Sequence, residues 1–265
     1  MEKALAQEVR DLVASARALL SELAEEGVDH FDRMPRSDRG PQVQPTSVEV
    51  RPAPVPPRSG RTSAHPDEPG LFDGERPWGE SPSLDEVREV LGECTRCPLS
   101  RGRNRIVFGD GDPDADLMFI GEGPGAEEDR LGLPFVGRAG ELLTQMIEKG
   151  LGIPRSSVYI CNIVKCRPPN NRNPMAEEAA TCRPFLEGQI AAVRPRVIVA
   201  LGKPAASLLL GRDVAITRVR GIWHEVRGIP LMPTFHPAFI LRRYTPENRR
   251  LVWEDLKAAL ERSQG

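Results

Sequence analysis

The sequence predicts an α/β protein, a three-layer sandwich around a central four-stranded parallel sheet, preceded by an N-terminal helix and a disordered linker. Three observations carry this prediction. Four short apolar runs lack the polar alternation of a half-exposed strand. Helix-like stretches separate them or follow them. Eleven of the 26 prolines fall between residues 28 and 82, so the packed part of the chain must lie beyond that stretch. Strands buried on both faces and alternating with helices are the pattern of a parallel sheet covered on both sides.

In chain order, Leu5, Val9, Leu12, Ala16, Leu19 and Leu23 recur at spacings of four and three, which predicts an amphipathic helix over residues 2–25. Its narrow apolar seam makes residues 1–27 a candidate partner-binding segment. Residues 28–82 read as a proline-rich disordered linker. A capping box at Ser83 and Glu86 then opens a short helix through Leu91. The strands follow: Leu117 to Ile120, ending at Gly121; Val158 to Ile160, leading into Asn162; Val197 to Leu201, ending at Gly202; and Ile229 to Phe235, ending at His236. Helices are expected at 139–150, 175–193, 203–210 and 246–262. Residues 83–265 are thus expected to form the packed domain.

Loops after the C-terminal ends of parallel strands form the binding crevice of such a fold. Gly121-Glu122-Gly123-Pro124-Gly125, Asn162 and His236 each follow a strand, so they are expected to converge on one edge. The glycine-rich segment matches neither a P-loop nor a dinucleotide fingerprint. Taken alone it reads either as a phosphate cradle or as a strand-end turn.

Charge and cysteines narrow the class. Residues 1–82 carry 10 Lys and Arg against 15 Asp and Glu, while residues 83–265 carry 26 against 23. That mild excess permits contact with phosphates without identifying a dedicated nucleic-acid domain. The arginines cluster locally at Arg101, Arg103 and Arg105, at Arg218 and Arg220, and at Arg242, Arg243, Arg249 and Arg250. No apolar run approaches a membrane span and the charged N-terminus lacks a secretion signal, so a soluble cytoplasmic protein is expected. Five cysteines are too few for a secreted disulfide scaffold. Cys94 and Cys97 form a Cys-x-x-Cys pair, and Cys166 and Cys182 follow. Four thiolates satisfy either a zinc ion or a four-iron cluster, and spacing does not choose between them. Cys161 is left over within a strand.

Three segments then act together. GEGPGAEEDRLGLPFVGRAG at 121–140, CNIVKCRPPNNRNP at 161–174 and HPAFILR at 236–242 closely resemble the signature segments of the family 4, iron-sulfur, uracil-DNA glycosylases. The resemblance covers residues 84 to about 262. It implies the glycosylase fold, excision of uracil from single- or double-stranded DNA as a step of base excision repair, and a 4Fe-4S cluster on Cys94, Cys97, Cys166 and Cys182. Enzymes of this kind extrude the target base, because the glycosidic carbon is unreachable in the stack.

By the same resemblance, Gly121, Gly123, Phe135, Asn162 and His236 are the expected substrate-binding residues. Phe135 stacks on the flipped base and Asn162 reads its Watson-Crick edge. His236 hydrogen-bonds uracil O2 as charge builds on the leaving base. In the best-known members of the superfamily an aspartate of the first motif positions water, and here Gly123 holds that place. Glu122 is therefore expected to brace the pocket through Asn171, and Glu128 to stand near uracil C5, excluding a methyl group and organising water. Both glutamates also read as caps of the following helix. Ile240 and Leu241 are expected to wedge into the DNA, with Arg242 and Arg243 on flanking phosphates and Arg101, Arg103 and Arg105 as further backbone contacts. The cluster is expected to be structural and the catalytic domain monomeric. A covalent uracil-binding variant is disfavoured, because residues 167–181 hold no histidine and no basic insertion. A non-catalytic iron-sulfur or zinc interaction module is the other alternative.

Overall fold

The computed structural model describes Trp78 and residues 81–265. The expected helix over 1–27 lies outside the described residues, as does the linker apart from Trp78, Ser81 and Pro82. The first helix, α1 (Leu84–Leu91), opens on the expected capping box: the Ser83 side chain accepts from the Glu86 N–H, and Glu86 accepts from the Ser83 N–H at 2.7 Å.

Four parallel strands make the centre of the sheet: β2 (Leu117–Gly121), β3 (Tyr159–Asn162), β4 (Val197–Leu201) and β6 (Ile229–Thr234). Their order across the sheet is β3-β2-β4-β6, and every neighbouring pair is parallel. Two short edge strands extend it to six. β1 (Asp110–Gly111) runs antiparallel to β3, and β5 (His224–Val226) runs antiparallel to β6.

Every residue of β2, β3 and β4 is buried, and successive side chains enter opposite layers. Met118, Ile120, Tyr159, Cys161, Ile198 and Ala200 face one core, under α4 (Ala176–Val193) and α5 (Lys203–Leu209). Leu117, Phe119, Ile160, Val197, Val199 and Leu201 face the other. That side is covered by α3 (Arg138–Gln145) with its π-helical continuation Met146–Leu151, by α7 (Pro237–Arg242), and by α8 (Pro246–Gln264). Between these lie the short α2 (Ala126–Leu131) and α6 (Ile216–Val219). The three-layer sandwich is therefore as the sequence predicts.

The packed domain begins earlier than residue 83. Trp78 is only 8% exposed and joins Val87, Leu91, Phe108 and Phe185 in a third cluster. Its indole lies across Gly188 of α4, where a Cβ would stand 2.7 Å from the ring.

Register places the functional ends in line. Gly121 pairs with Asn162, and Leu201 pairs with Thr234. The Gly202 N–H then bonds the Thr234 carbonyl at 2.9 Å. All four strands consequently deliver their next residues to a single edge.

Candidate active site

Asn162 ends β3 and is buried, and its side-chain Oδ1 has no hydrogen-bond partner. An unsatisfied buried amide oxygen is costly unless a ligand completes it. Around it the chain makes room. A Cβ on Gly121 would stand 2.5 Å from Asn162 Oδ1 and 2.5 Å from Phe135 Cζ, so only glycine lets these groups meet. Gly123 lies close to Val164, 2.9 Å from where its own Cβ would be. The Gly121 and Glu122 carbonyls accept from Ile163 and Val164, carrying the β2–β3 pairing past the strand ends.

Phe135 holds a backbone φ of 52°, an uncommon conformation for a bulky residue. Its ring lies 5.6 Å from that of His236, inclined by 33°. Gly140, in the first turn of α3, passes so close to the Phe135 main chain that no side chain fits there.

His236 caps α7. Its Nδ1 accepts from the Ala238 N–H at 3.1 Å, so in the neutral ring the proton is on Nε2. Burial lowers the imidazole pKa to about 4, and the Arg242 charge pushes in the same direction. At neutral pH the ring is therefore an uncharged donor. Gly202, at φ 88°, closes behind it, within 3.0 Å of His236 Cβ for a Cβ of its own.

The two glutamates part company here. Glu122 is half-buried, and desolvation raises its pKa against the opposing pull of Arg242. Glu128, expected near the base, is held by backbone amides. Its Oε2 accepts from Gly125 N at 3.1 Å, and its Oε1 from Val136 N at 2.9 Å and Gly137 N at 2.8 Å. Those amides occupy the carboxylate, which clamps the loop carrying Phe135 to the start of α2. Asn171 likewise does not brace Glu122: it is exposed and accepts from Arg167 Nε at 2.8 Å.

The expected DNA-facing residues also divide. Ile240 is fully buried among Leu143, Phe235 and Val252, because four residues past His236 one helical turn points it back into the core. It is a core residue and not a wedge. Leu241 is half-buried, while Arg242 and Arg243 are exposed. Arg103 is not available to phosphates, since its side chain is 9% exposed and donates to the Cys94 carbonyl and to the Cys166 sulfur. Arg101 and Arg105 are exposed.

Cys94 and Cys97 follow α1, Cys166 follows β3, and Cys182 sits in α4. Burial raises the Cys166 thiol, and the Cys97 and Cys94 sulfurs add to that rise. Cys182 is pushed up to about 11, mainly by burial, with Cys166 and Cys97 contributing. Cys166 thus lies near Cys94 and Cys97, and Cys182 near Cys166 and Cys97. All are free thiols, and Arg96 donates to the Cys94 sulfur at 3.2 Å. No group of three or more His, Cys, Asp or Glu among the described residues is arranged to hold a single metal ion. As a donor set, four thiols, two of which meet arginine N–H groups, suit a bound metal centre of net negative charge. Cys161 faces the core from β3.

Two residues near the site escaped sequence reasoning. Gly202 was visible only as a strand end, and Lys165 lies inside the second motif with nothing to mark it as buried.

Residues 108–257 match the family model described as the uracil DNA glycosylase superfamily. A type-4 uracil-DNA glycosylase of Thermotoga maritima is 50% identical over 180 residues, covering 66% of this chain and 92% of that protein. The type-4 enzyme of Sulfurisphaera tokodaii is 43% identical over 187 residues, 68% of this chain and 84% of its own. That of Saccharolobus solfataricus is 41% identical over 187 residues, 68% and 86% respectively. On the matched family model and these relatives, the chain belongs to the uracil-DNA glycosylase superfamily, among its type-4 members.

Proposed function

We propose that this chain hydrolyses the N-glycosidic bond of deoxyuridine in DNA, releasing uracil and leaving an abasic site for repair. The observation that carries this is the buried, unpartnered Oδ1 of Asn162, flanked by Gly121 and Phe135. An amide presents an acceptor beside a donor. Uracil answers with its N3–H and O4, whereas cytosine offers the reverse pattern and leaves both groups facing like partners. The Phe135 ring supplies an apolar face for the extruded base.

As the glycosidic bond lengthens, negative charge moves into the base and concentrates on O2. A neutral His236, with Nε2–H as its free donor, meets that charge without having surrendered a proton of its own. On the sugar side positive charge develops. Glu122 is a half-buried carboxylate of the first motif, whereas Glu127 is exposed and pairs with Arg130 and Glu128 takes backbone amides, so Glu122 serves this charge or positions the attacking water. Leu241, Arg242 and Arg243 form the half-buried and exposed end of α7 facing the DNA.

Cys94, Cys97, Cys166 and Cys182 would hold a 4Fe-4S cluster. When bound, the cluster supplies a cross-link between the loop after α1, the loop after β3 and α4. Uracil hydrolysis transfers no electron, and none is assigned to the cluster here.

One assay tests the activity. Uracil-containing oligonucleotide incubated with the purified protein is expected to yield free uracil and an alkali-labile site. A protein–DNA adduct, or intact DNA, overturns the reading. For the cofactor, anaerobically purified protein should be brown and contain iron. Cys166→Ala is expected to lose the iron and Cys161→Ala to retain it.

A further inference from the structure

The residues that lead into His236 are each held by a different contact from outside the sheet. The Pro233 carbonyl accepts from Gly221 N at 3.1 Å. The Thr234 hydroxyl, fully buried, donates to Asp255 Oδ2 at 2.6 Å. The Arg220 guanidinium lies over the Phe235 ring, 5.7 Å from its centroid.

Arg220 and Asp255 form one unit. Arg220 follows α6 and reaches the buried carboxylate of Asp255 in α8, with Nε 3.0 Å from Oδ2 and a terminal nitrogen on Oδ1. The same nitrogen donates to the Leu251 carbonyl at 3.0 Å. Gly221, at φ 69°, leaves the carboxylate its room, since a Cβ there would stand 2.8 Å from Asp255 Oδ1. Although the sequence groups Arg220 with Arg218, its guanidinium is committed to the interior.

A buried ion pair is costly to desolvate, and apolar side chains of the same volume often stabilise a fold as well or better. What this pair adds is fixed geometry, because a carboxylate that accepts both arms of an arginine fork and a hydroxyl is held in one orientation. The segment so fixed is the strand end that delivers His236.

We propose that Arg220 and Asp255 are positioning residues for His236: by holding Thr234 and Phe235 they set where its Nε2 stands against uracil O2. This rests on the uracil reading above. Both act through the main chain and not on the base. His236 meets charge that appears only as the glycosidic bond lengthens, so a displaced ring slows bond breaking and leaves base recognition by Asn162 and Phe135 intact.

The test uses the full-length protein. Asp255→Asn keeps the side-chain volume and removes the charge. Thr234→Val keeps the ion pair and removes its link to β6, and it decides the matter if the asparagine variant does not fold. Each is made alone and together with His236→Ala. Single-turnover cleavage of a uracil-containing oligonucleotide is measured, along with affinity for an oligonucleotide bearing slowly cleaved 2′-fluorodeoxyuridine.

Each variant alone is expected to lower the single-turnover rate about tenfold while affinity for the probe stays within about twofold of wild type. Added to His236→Ala, each is expected to lower the rate no further, because the group it positions is gone. A native rate in either folded variant overturns the proposal. A loss that persists undiminished in the His236→Ala background overturns it too, since the pair would then support the fold and not the histidine. So does a loss that falls on affinity instead of rate. Wild-type protein that releases no uracil, or His236→Ala that cleaves at the wild-type rate, overturns the functional reading itself, and that is seen before these variants are made.

Discussion

The Nδ1 atom of His236 accepts the amide proton of Ala238, and this bond leaves the remaining ring proton on Nε2, pointing away from the helix it caps. Burial and the neighbouring Arg242 charge both oppose a second proton, so the folded-state pKa falls from 6.5 to about 4. Three consequences can be measured. Removing the donor with His236→Ala should lower the single-turnover rate about a hundredfold, the usual cost of an oxyanion-type contact. Unchanged cleavage would make His236 a structural cap only. Titration followed by NMR should find His236 near pH 4, with no inflection of the single-turnover rate near 6.5 from this ring. The stability effect has a fixed sign. A lowered histidine pKa means that the unfolded chain binds the proton first, so stability is greatest above pH 6.5 and declines as pH falls from there toward 4. Denaturant unfolding of wild type and His236→Gln across that window should show a steeper decline in the wild type.

At the scale of elements, the Phe135 platform is held from two sides. Glu128, in the first turn of α2, takes three amide protons from Gly125, Val136 and Gly137. Gly140, in the first turn of α3, lets that helix lie directly on the Phe135 main chain. Glu128→Ala would leave those amides without their acceptor, at a cost of about 2 kcal/mol in unfolding free energy. It should also weaken binding of uracil-containing DNA, because the strained Phe135 backbone loses its restraint. A variant of native stability and affinity would mean that the Glu128 carboxylate does not clamp the Phe135 loop. The reason a base-contacting role was read there is instructive. A glutamate three residues past a glycine turn looks the same in sequence whether it caps a helix or faces a substrate, and only the positions of Val136 and Gly137 decide. The four parallel strands were legible, since burial on both faces leaves an unbroken apolar run with a polar or glycine stop. β1 and β5 were not, because two or three residues on a sheet edge carry no period to read. Ile240 and Arg103 show the same limit on the side-chain level: their letters suit DNA, but their neighbours in space are the core and the cysteines.

For the whole molecule, the question is where the catalytic domain begins. Composition puts the boundary at residue 83, after the last proline of the rich stretch, yet Trp78 lies in the cluster built by Val87, Leu91, Phe108 and Phe185. Its ring stands 5.7 Å from that of Phe185, and Gly188 is bare where the indole crosses α4. Every motif that carries chemistry lies beyond residue 83, so a chain starting at Pro77 should release uracil from short oligonucleotides at close to the full-length rate. A chain starting at Ser83 keeps the same chemistry but loses the indole, exposing the apolar faces of α1 and α4 and leaving a void over Gly188. Truncating a buried tryptophan costs about 3 kcal/mol or more, so the shorter chain should unfold at markedly lower denaturant concentration than the longer one. Its activity at low temperature should persist. Equal midpoints for the two chains would mean that Trp78 adds nothing to the fold and that the compositional boundary was right. Loss of activity already in the Pro77 chain would instead mean that residues 1–76 contribute directly to the catalytic domain.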